Sequence, residues 1–269
     1  MASVLEPIRV VINGALGRMG QKITEAVVCE RDLKVVGAVE KEVTQQYLPL
    51  TEAPELILLS SDLGSLLKSC DADVVVDFTN AEVSMAAARI AIRQKVNMVI
   101  GTTGLSEENL AEIEKLCQTY KVGAVVAPNF SLGAALLIHL SKFAAKFFNH
   151  AEIIEMHHDK KADAPSGTAI ATARAMAQMH GKPFIYPELT HEVLSNTRGG
   201  EMEGIAIHSL RLPGLMSGQE VIFSGVGETL SLRYNAISRE CYVPGVILAI
   251  KEVTKRKGLT LGLEALLKL

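Results

Sequence analysis

Short apolar runs alternate with longer amphipathic stretches through the first half of the chain. Residues 8–13 (IRVVIN) form a β-branched run that ends at a glycine, which is typical of a buried parallel strand. Apolar residues then recur at helical spacing over 19–27, which predicts a helix. The same reasoning predicts further strands at 34–40, 72–79, 97–103 and 122–128.

The stretches between these runs have helical periodicity. Thr79 and Glu82 have the spacing of a capping box for a helix that runs to about residue 94, and another helix is predicted over 106–120. One connection is irregular and contains Pro49 and Pro54. Because β-α-β units repeat, the pattern indicates an α/β fold with a Rossmann-type, doubly wound parallel sheet and right-handed crossovers.

The pattern changes in the second half of the chain. Helices are predicted over 133–148 and 167–180, and strands at 151–157, 205–212, 219–224 and 229–236. The last three strands follow one another without helices, which predicts a second α+β domain with a mixed or antiparallel sheet. A final amphipathic helix, 243–256, could return to the first domain. We therefore expect a dinucleotide-binding domain of 1–129 completed by 241–269, and a substrate-binding and oligomerisation domain of 130–240.

Composition narrows the possible partners. The 269 residues are 48% hydrophobic, carry a net charge of −3, and include no Trp and few aromatic residues. Nucleic-acid binding through a general basic field is therefore not expected. The four cysteines are scattered, which argues against a disulfide framework or a zinc site. Since no apolar run reaches membrane-spanning length and no signal peptide is evident, we expect a cytoplasmic protein without a membrane partner.

A glycine-rich turn follows the first predicted strand. Residues 13–20 (NGALGRMG) hold Gly14, Gly17 and Gly20 at the start of a helix, where free N–H groups can bind a pyrophosphate. Glu40 ends the second strand about twenty residues later and could accept hydrogen bonds from ribose hydroxyls. Lys41 and Arg18 could instead contact a 2′-phosphate, so NAD and NADP both remain open. The alternative is an ordinary tight turn.

Two further loops, 101–104 (GTTG) and 127–130 (APNF), follow the ends of predicted parallel strands. In open α/β sheets, ligands lie outside the carboxyl ends of the strands. Each loop alone could be a simple turn. Three such loops on one rim predict a nicotinamide site.

The most distinctive stretch is 157–169 (HHDKKADAPSGTA). Alternation along the preceding strand places Glu155 and His157 on one face. The imidazole of His157 suits general acid catalysis, and Lys161 supplies a positive charge four residues away. These groups predict a site for a small anionic substrate, most simply a carboxylate.

The helix that follows strengthens this interpretation. Gly167 and Thr168 begin it, and their unsatisfied N–H groups can form an anion cradle. The alternative is a solvated surface loop in which Ser166 or Asp163 serves only as an N-cap. A metal site is not expected, because adjacent histidines rarely share a metal and no thiolate lies nearby in the sequence.

Residues 155–169 (EMHHDKKADAPSGTA) resemble the E-x-H-H-x-x-K-x-D-A-P-S-G-T-A signature of the 4-hydroxy-tetrahydrodipicolinate reductase (dihydrodipicolinate reductase) family, which acts in diaminopimelate and lysine synthesis. Four other blocks resemble those of the family in the same order: 13–20 (NGALGRMG), 75–79 (VVDFT), 99–104 (VIGTTG) and 127–133 (APNFSLG). The resemblance spans nearly the whole chain.

The resemblance implies roles for individual residues. His157 would be the proton donor and Lys161 the second catalytic residue. The residues implied to bind the substrate dicarboxylate are His158, Ser166, Gly167, Thr168 and Thr103. Those implied to line a site for NADH or NADPH are Gly14, Ala15, Leu16, Gly17, Arg18, Met19, Glu40, Lys41, Gly101, Thr102, Thr103, Ala127, Pro128, Asn129 and Phe130. A homotetramer formed through the second domain's sheet is also implied.

Two segments depart from the family pattern. Many members have R-A-G-x-x-G-E-H where residues 211–220 read RLPGLMSGQE, although a subset has a similar R-L-P-G-L, and 42–61 is unfamiliar. Two other functions remain open. One is another two-domain dehydrogenase, for instance a semialdehyde dehydrogenase with Cys241 as nucleophile. The other is a non-enzymatic nucleotide sensor, which would have no use for the His-His-Lys segment.

Overall fold

The computed structural model describes residues 6–48 and 56–267, so the predicted irregular connection at Pro49 and Pro54 lies outside the described residues. The described chain divides into two compact units. The first comprises residues 6–130 and 242–267, and the second comprises residues 131–241. Each unit is built on its own β-sheet.

The first unit contains a seven-stranded parallel sheet. Its strands are β1 (Ile8–Asn13), β2 (Leu33–Val39), β3 (Leu59–Ser60), β4 (Val74–Asp77), β5 (Asn97–Ile100), β6 (Gly123–Val126) and β12 (Gly258–Leu261), in the order β12-β6-β5-β4-β1-β2-β3. The central strand β4 is buried along its whole length, as a continuous apolar run with helices on both faces requires. The predicted Rossmann-type doubly wound sheet is confirmed.

Five helices belong to this unit: α1 (Arg18–Cys29), α2 (Leu63–Ser69), α3 (Ala81–Arg93), α4 (Glu107–Tyr120) and α7 (Val243–Val253). Side-chain caps explain where several of them begin. Ser106 and Asn109 form a reciprocal capping box at α4, and Asp62 accepts a hydrogen bond from the Ser65 amide at α2.

The predicted capping box of Thr79 and Glu82 is wrong. The α3 helix starts one residue later, where the Asn80 side chain caps it by accepting a hydrogen bond from the Val83 amide at 3.1 Å. Thr79 points to Asp77 instead, because that buried carboxylate needs its hydroxyl as a donor. The sequence analysis also missed α2 and β12, which are too short to show a clear period.

The second unit contains a mixed five-stranded sheet. Its strands are β7 (His150–His157), β8 (Gly200–Met202), β9 (Ile205–Arg211), β10 (Ser217–Gly225) and β11 (Glu228–Ala236), in the order β11-β10-β7-β9-β8. The pair β7–β9 is parallel and the other pairs are antiparallel. The prediction of a second domain with such a sheet is confirmed.

Two helices, α5 (Leu132–Ala144) and α6 (Gly167–His180), cover one face of this sheet. Ala151 and Ile153 of β7 face these helices, and alternation puts Glu155 and His157 on the same side. Glu152 and Ile154 lie on the opposite face, against which no helix packs among the residues that the structure describes. The sheet therefore has one covered and one open face.

Candidate functional site

The glycine turn after β1 is built for a close approach of the backbone. Gly14 has φ +77°, a left-handed conformation that glycine adopts without strain. A Cβ on Gly20 would lie 2.1 Å from the Gly14 carbonyl oxygen, so α1 packs directly on the turn. Gly17 ends the turn, and α1 begins without a side-chain cap or an acidic residue in its first turn. This arrangement leaves a helix N-terminus suited to an anion.

Glu40 lies beside this turn. One of its carboxylate oxygens accepts a hydrogen bond from the Leu16 amide at 3.1 Å, and the other accepts one from the Lys41 amide at 3.0 Å. The side chains of Arg18 and Lys41 are exposed. Both the carboxylate that would suit a ribose and the cations that would suit a 2′-phosphate are therefore present at the turn.

A buried carboxylate connects the ends of three strands behind the turn. Asp77, at the end of β4, accepts hydrogen bonds from Asn13 of β1, from Ser84, from Thr79 Oγ1 at 2.8 Å and from Thr102 Oγ1 at 3.1 Å. All of these residues except Thr79 are buried. The sequence analysis missed this network, although an aspartate at the end of the apolar run 74–77 was a signal for it.

The two other predicted cofactor loops lie at the carboxyl ends of β5 and β6. Gly101 packs under the Phe78 ring, where a Cβ would lie 2.1 Å from a ring carbon. Phe78 in turn contacts Phe130, with ring centroids 5.3 Å apart. Thr103 and Pro128 are exposed. The side chains of four other predicted cofactor residues, Ala15, Thr102, Ala127 and Phe130, are buried. Those four can offer a ligand little except backbone.

These features together fit a dinucleotide. The turn has no side chains where a pyrophosphate would approach, and the helix behind it has no acidic first turn to repel one. Glu40 lies beside the turn, where a carboxylate suits a ribose, and the loops after β5 and β6 lie at the carboxyl end of the same sheet.

In the second unit, β7 ends at His157, the predicted end of this strand. The His157 carbonyl accepts a hydrogen bond from the Leu212 amide at 3.1 Å, and its Nδ1 lies 2.6 Å from Glu155 Oε2. His158 follows in the loop and is exposed. His157 is thus anchored through one ring nitrogen, whereas His158 lies outside the strand.

Glu155 has no exposed surface, and it is held by Arg211 of β9 through contacts of 2.7 and 3.0 Å. Burial raises the pKa of Glu155, but hydrogen bonds from His157 and Arg211 outweigh burial and lower the pKa to about 2. Glu155 is therefore ionised at neutral pH. The sequence analysis assigned no role to Glu155 or Arg211. A charged residue on the covered face of a strand was the available signal.

Lys161 lies in the loop that follows β7. Its Nζ donates to Asp163 Oδ1 at 2.6 Å, and its backbone amide donates to the His158 carbonyl at 3.2 Å. The hydrogen bond from Lys161 lowers the pKa of the Asp163 carboxyl. The Asp163 carbonyl accepts a hydrogen bond from Arg211 at 2.7 Å, which ties this loop to β9.

The loop ends at α6, which begins at Gly167 as predicted. Ser166 is buried, and its hydroxyl caps the helix by accepting from the Ala169 amide at 3.2 Å. The Gly167 and Thr168 amides have no acceptor among the described residues, and a Cβ on Gly167 would have no neighbour within 4 Å. The helix start is therefore open to an anion at these two residues.

The described part of the chain offers no reactive thiol at Cys241, no metal site and no membrane-spanning helix. Burial raises the pKa of the Cys241 thiol, whose sulfur is 3.7 Å from the Tyr234 hydroxyl, so this thiol is poorly suited to nucleophilic attack. Over residues 6–48 and 56–267, no group of three metal-ligating side chains is present, and no helix is long and apolar enough to cross a bilayer.

Comparison with known proteins matches both units to the same family. Residues 8–130 match the family model "Dihydrodipicolinate reductase, N-terminus", and residues 133–267 match "Dihydrodipicolinate reductase, C-terminus". The 4-hydroxy-tetrahydrodipicolinate reductase of Dehalococcoides mccartyi is 51% identical over 265 residues, which cover 98% of this chain and 100% of the relative. That of Moorella thermoacetica is 47% identical over 267 residues, with the same coverage.

Solved structures agree with these matches. A dipicolinate-bound dihydrodipicolinate reductase from Paenisporosarcina sp. TG-14 superimposes with a TM-score of 0.86 at 35% identity, covering 96% of this chain and 98% of the other. An amine dehydrogenase from Mycobacterium smegmatis has a TM-score of 0.64 at 15% identity, covering 96% of this chain and 95% of the other, and it shares the fold alone. The predicted family is confirmed: this chain belongs to the dihydrodipicolinate reductases, NAD(P)H-dependent oxidoreductases of lysine and diaminopimelate synthesis.

Proposed function

We propose that this chain reduces 4-hydroxy-tetrahydrodipicolinate, through dihydrodipicolinate, to tetrahydrodipicolinate with NADH or NADPH. Relatives of 47% and 51% identity have the name of this activity, and a similar solved structure holds dipicolinate, an aromatic dicarboxylate. One observation carries the proposal. A strand that ends in an anchored histidine leads through one short loop, which holds Lys161, into an open helix N-terminus.

A nicotinamide cofactor held at the glycine turn would supply the hydride that reduces an unsaturated carbon of the cyclic imine dicarboxylate, after water has left the 4-hydroxy compound. The substrate then has excess electron density and needs a proton. His157 gives that proton as a general acid. Water then returns a proton to the imidazole before the next turnover.

Lys161 and the amides of Gly167 and Thr168 handle the negative charge. A substrate carboxylate accepts hydrogen bonds from these amides, with help from His158 and Ser166 on the same loop. Lys161 offsets the charge that develops in the transition state, a form of preorganised electrostatic stabilisation worth roughly 3 kcal/mol. Asp163 holds the Lys161 ammonium in place at 2.6 Å until substrate binds.

We further propose that residues 1–129 and 241–269 bind the cofactor, and that residues 130–240 bind the substrate and mediate assembly. The glycine turn would hold the pyrophosphate and Glu40 the ribose, while Thr103 would contribute to the substrate site. The sheet of the second unit would join copies of this chain in a cytoplasmic homotetramer. The proposed function requires neither nucleic acid nor a membrane.

The test is oxidation of reduced nicotinamide, followed by its near-ultraviolet absorbance, with freshly made 4-hydroxy-tetrahydrodipicolinate. NADH and NADPH are assayed in parallel, and each cofactor without substrate is the control. We expect oxidation that depends on substrate with at least one cofactor. Oxidation that is independent of substrate, or absent with both cofactors, would contradict the proposal. Light scattering of the eluting protein tests the tetramer.

A further inference from the structure

We propose that Glu155 and Arg211 form a buried positioning pair, which fixes the nitrogen of His157 that exchanges the catalytic proton and ties it to the start of α6. The inference rests on the proposed function, since it concerns the proton donor of that reaction. Both residues act through His157 and the neighbouring loop. They are positioning residues, because their hydrogen bonds are made within the protein.

The Glu155 carboxylate is saturated by four contacts. Oε1 accepts from Arg211 Nη2 at 2.7 Å and from the Ser166 amide at 3.3 Å. Oε2 accepts from Arg211 Nη1 at 3.0 Å and lies 2.6 Å from His157 Nδ1. A carboxylate has about four acceptor positions, so none is left for a ligand. Four of the N–H groups of Arg211 are likewise engaged, with Glu155, the Leu210 carbonyl and the Asp163 carbonyl.

The ionised carboxylate decides the tautomer of His157. Because it can only accept, Nδ1 must carry a hydrogen whether the ring is neutral or cationic. The proton that the ring exchanges is therefore the one on Nε2. In the proposed reaction the Nε2–H bond breaks, a C–H bond forms on the reduced substrate, and the ring remains neutral with its hydrogen on Nδ1. Water then returns a proton to Nε2.

The same carboxylate connects the proton donor to the anion cradle. Glu155 contacts His157 at the end of β7 and the Ser166 amide immediately before α6. Arg211 adds β9 and the Asp163 carbonyl to the same cluster. One buried charge thus holds together two strands, the loop and the start of the helix.

The surroundings of the pair contain few other groups that could set its charge. Neighbouring elements contribute Ser209 and Arg211 from β9, Ser217 and Gln219 from β10, and Lys161 and Asp163 from the loop. The two β10 residues are uncharged, and Lys161 and Asp163 pair with each other. Arg211 is therefore the cation that compensates the buried carboxylate, which would be costly without it.

The chain provides a matched control on the same strand. Glu152 contacts Arg198 at 2.5 Å and His208 at 2.9 Å, but it lies on the open face of the sheet and is partly exposed. These residues have no place in the proposed reaction. Glu152→Gln makes the same chemical change as Glu155→Gln without touching the proposed proton donor.

The kinetic test compares four purified full-length variants: Glu155→Gln, Glu152→Gln, His157→Ala and the double variant Glu155→Gln/His157→Ala. Glu155→Gln should lower kcat by about 10- to 100-fold, less than removal of the general acid itself, with little change in KM. Glu152→Gln should stay within about twofold of the wild type.

The double variant separates positioning from a general structural effect. If Glu155 acts through His157, Glu155→Gln should cost less than about twofold when His157 is already alanine. An equal loss in both backgrounds would overturn the proposal. Circular dichroism checks that each variant is folded. If Glu155→Gln does not fold, Arg211→Lys replaces it, since lysine keeps the charge but loses the two-point contact.

A spectroscopic test on the wild type needs no activity. Nitrogen-15 NMR of the histidine rings, with His157 assigned from the spectrum of His157→Ala, should show a neutral ring protonated on Nδ1. A neutral ring protonated mainly on Nε2 would refute the pair's role even in an active enzyme. Conversely, if the wild type does not reduce the substrate, the proposed function fails while this measurement still tests the pair.

Discussion

Strand β7 has two clusters of the same composition, each with a glutamate, an arginine and a histidine, on opposite faces of the sheet. Glu155 has no exposed surface, whereas the side chain of Glu152 is 34% exposed. Burial opposes ionisation of both carboxyls, and hydrogen bonds from the histidine and arginine lower the pKa of both, that of Glu155 to about 2. The two clusters therefore contain the same residue types but differ in burial.

The degree of burial changes how much an ion pair contributes to the stability of the fold. A partly exposed pair such as Glu152 and Arg198 contributes little to stability because water already solvates both charges. A buried pair such as Glu155 and Arg211 adds little net stability as a pair, but it is costly to break. The buried cluster also connects elements that the exposed one does not, since it reaches the loop at Asp163 and Ser166. Burial and connectivity distinguish a positioning site from a surface ion pair.

Breaking the two clusters at arginine should give the largest difference in stability. Arg211→Met leaves a buried carboxylate without its cation and should cost about 3–5 kcal/mol in the free energy of unfolding. Arg198→Met should cost about 0–1 kcal/mol. Urea unfolding followed by circular dichroism measures both. Equal costs would mean that burial does not distinguish the clusters.

The next largest effect is expected in activity, where the histidines of the two clusters should differ. His157→Ala, and Lys161→Ala in the same loop, should each lower turnover by roughly 10²-fold or more while the fold stays intact. His208→Ala, in the exposed cluster, should keep turnover within about twofold. The assay is the substrate-dependent oxidation described above. Near-normal turnover in both purified variants would remove His157 and Lys161 from the mechanism.

The two clusters should also differ in how low pH affects the stability of the fold, because of Glu155. Its folded-state pKa of about 2 lies below the ordinary 4.5, so the unfolded state binds a proton more readily. The stability from Glu155 is therefore complete above pH about 4.5 and is lost as the pH falls towards 2. Over this pH range, Glu155→Gln should lose less stability on acidification than the wild type does. Glu152→Gln should differ less from the wild type. Thermal melts across that pH range measure the difference.

The smallest effect is expected at the edge of the exposed cluster. The Arg198 guanidinium lies 5.5 Å from the centroid of the Tyr186 ring. Tyr186→Leu removes this cation–π contact and should cost about 0.5–1 kcal/mol, with turnover unchanged. Urea unfolding beside Tyr186→Phe, which keeps the ring, is the matched measurement. If the two variants lost the same stability, the ring would not be the source of the effect.

Local signals in the sequence were enough for several of these elements. The start of α6 at Gly167 follows from the Ser166 cap, and the alternation along β7 correctly placed Glu155 beside His157. The glycine turn and its helix were also visible, because a β-branched run, glycines and helical spacing follow in order.

Contacts between distant residues were not accessible in this way. Arg211 meets Glu155 because β9 pairs in parallel with β7 and aligns His157 with Arg211, a register that depends on the assembled sheet. Asp77 likewise accepts hydrogen bonds from Asn13 and Thr102 only once β1, β4 and β5 lie side by side. The wrong cap at Thr79 has the same cause, since the hydroxyl that could cap α3 is drawn to this buried carboxylate.

The empty space beyond the Gly167 α-carbon has a consequence for engineering. Among the described residues outside the local helix backbone and the two chain neighbours, no atom lies within 4 Å of where a methyl group would project, so packing does not require glycine there. A library of small side chains at this position would alter the room available to a guest molecule while sparing the scaffold. Because every side chain adds atoms where glycine has none, selection on such a library should favour smaller acids.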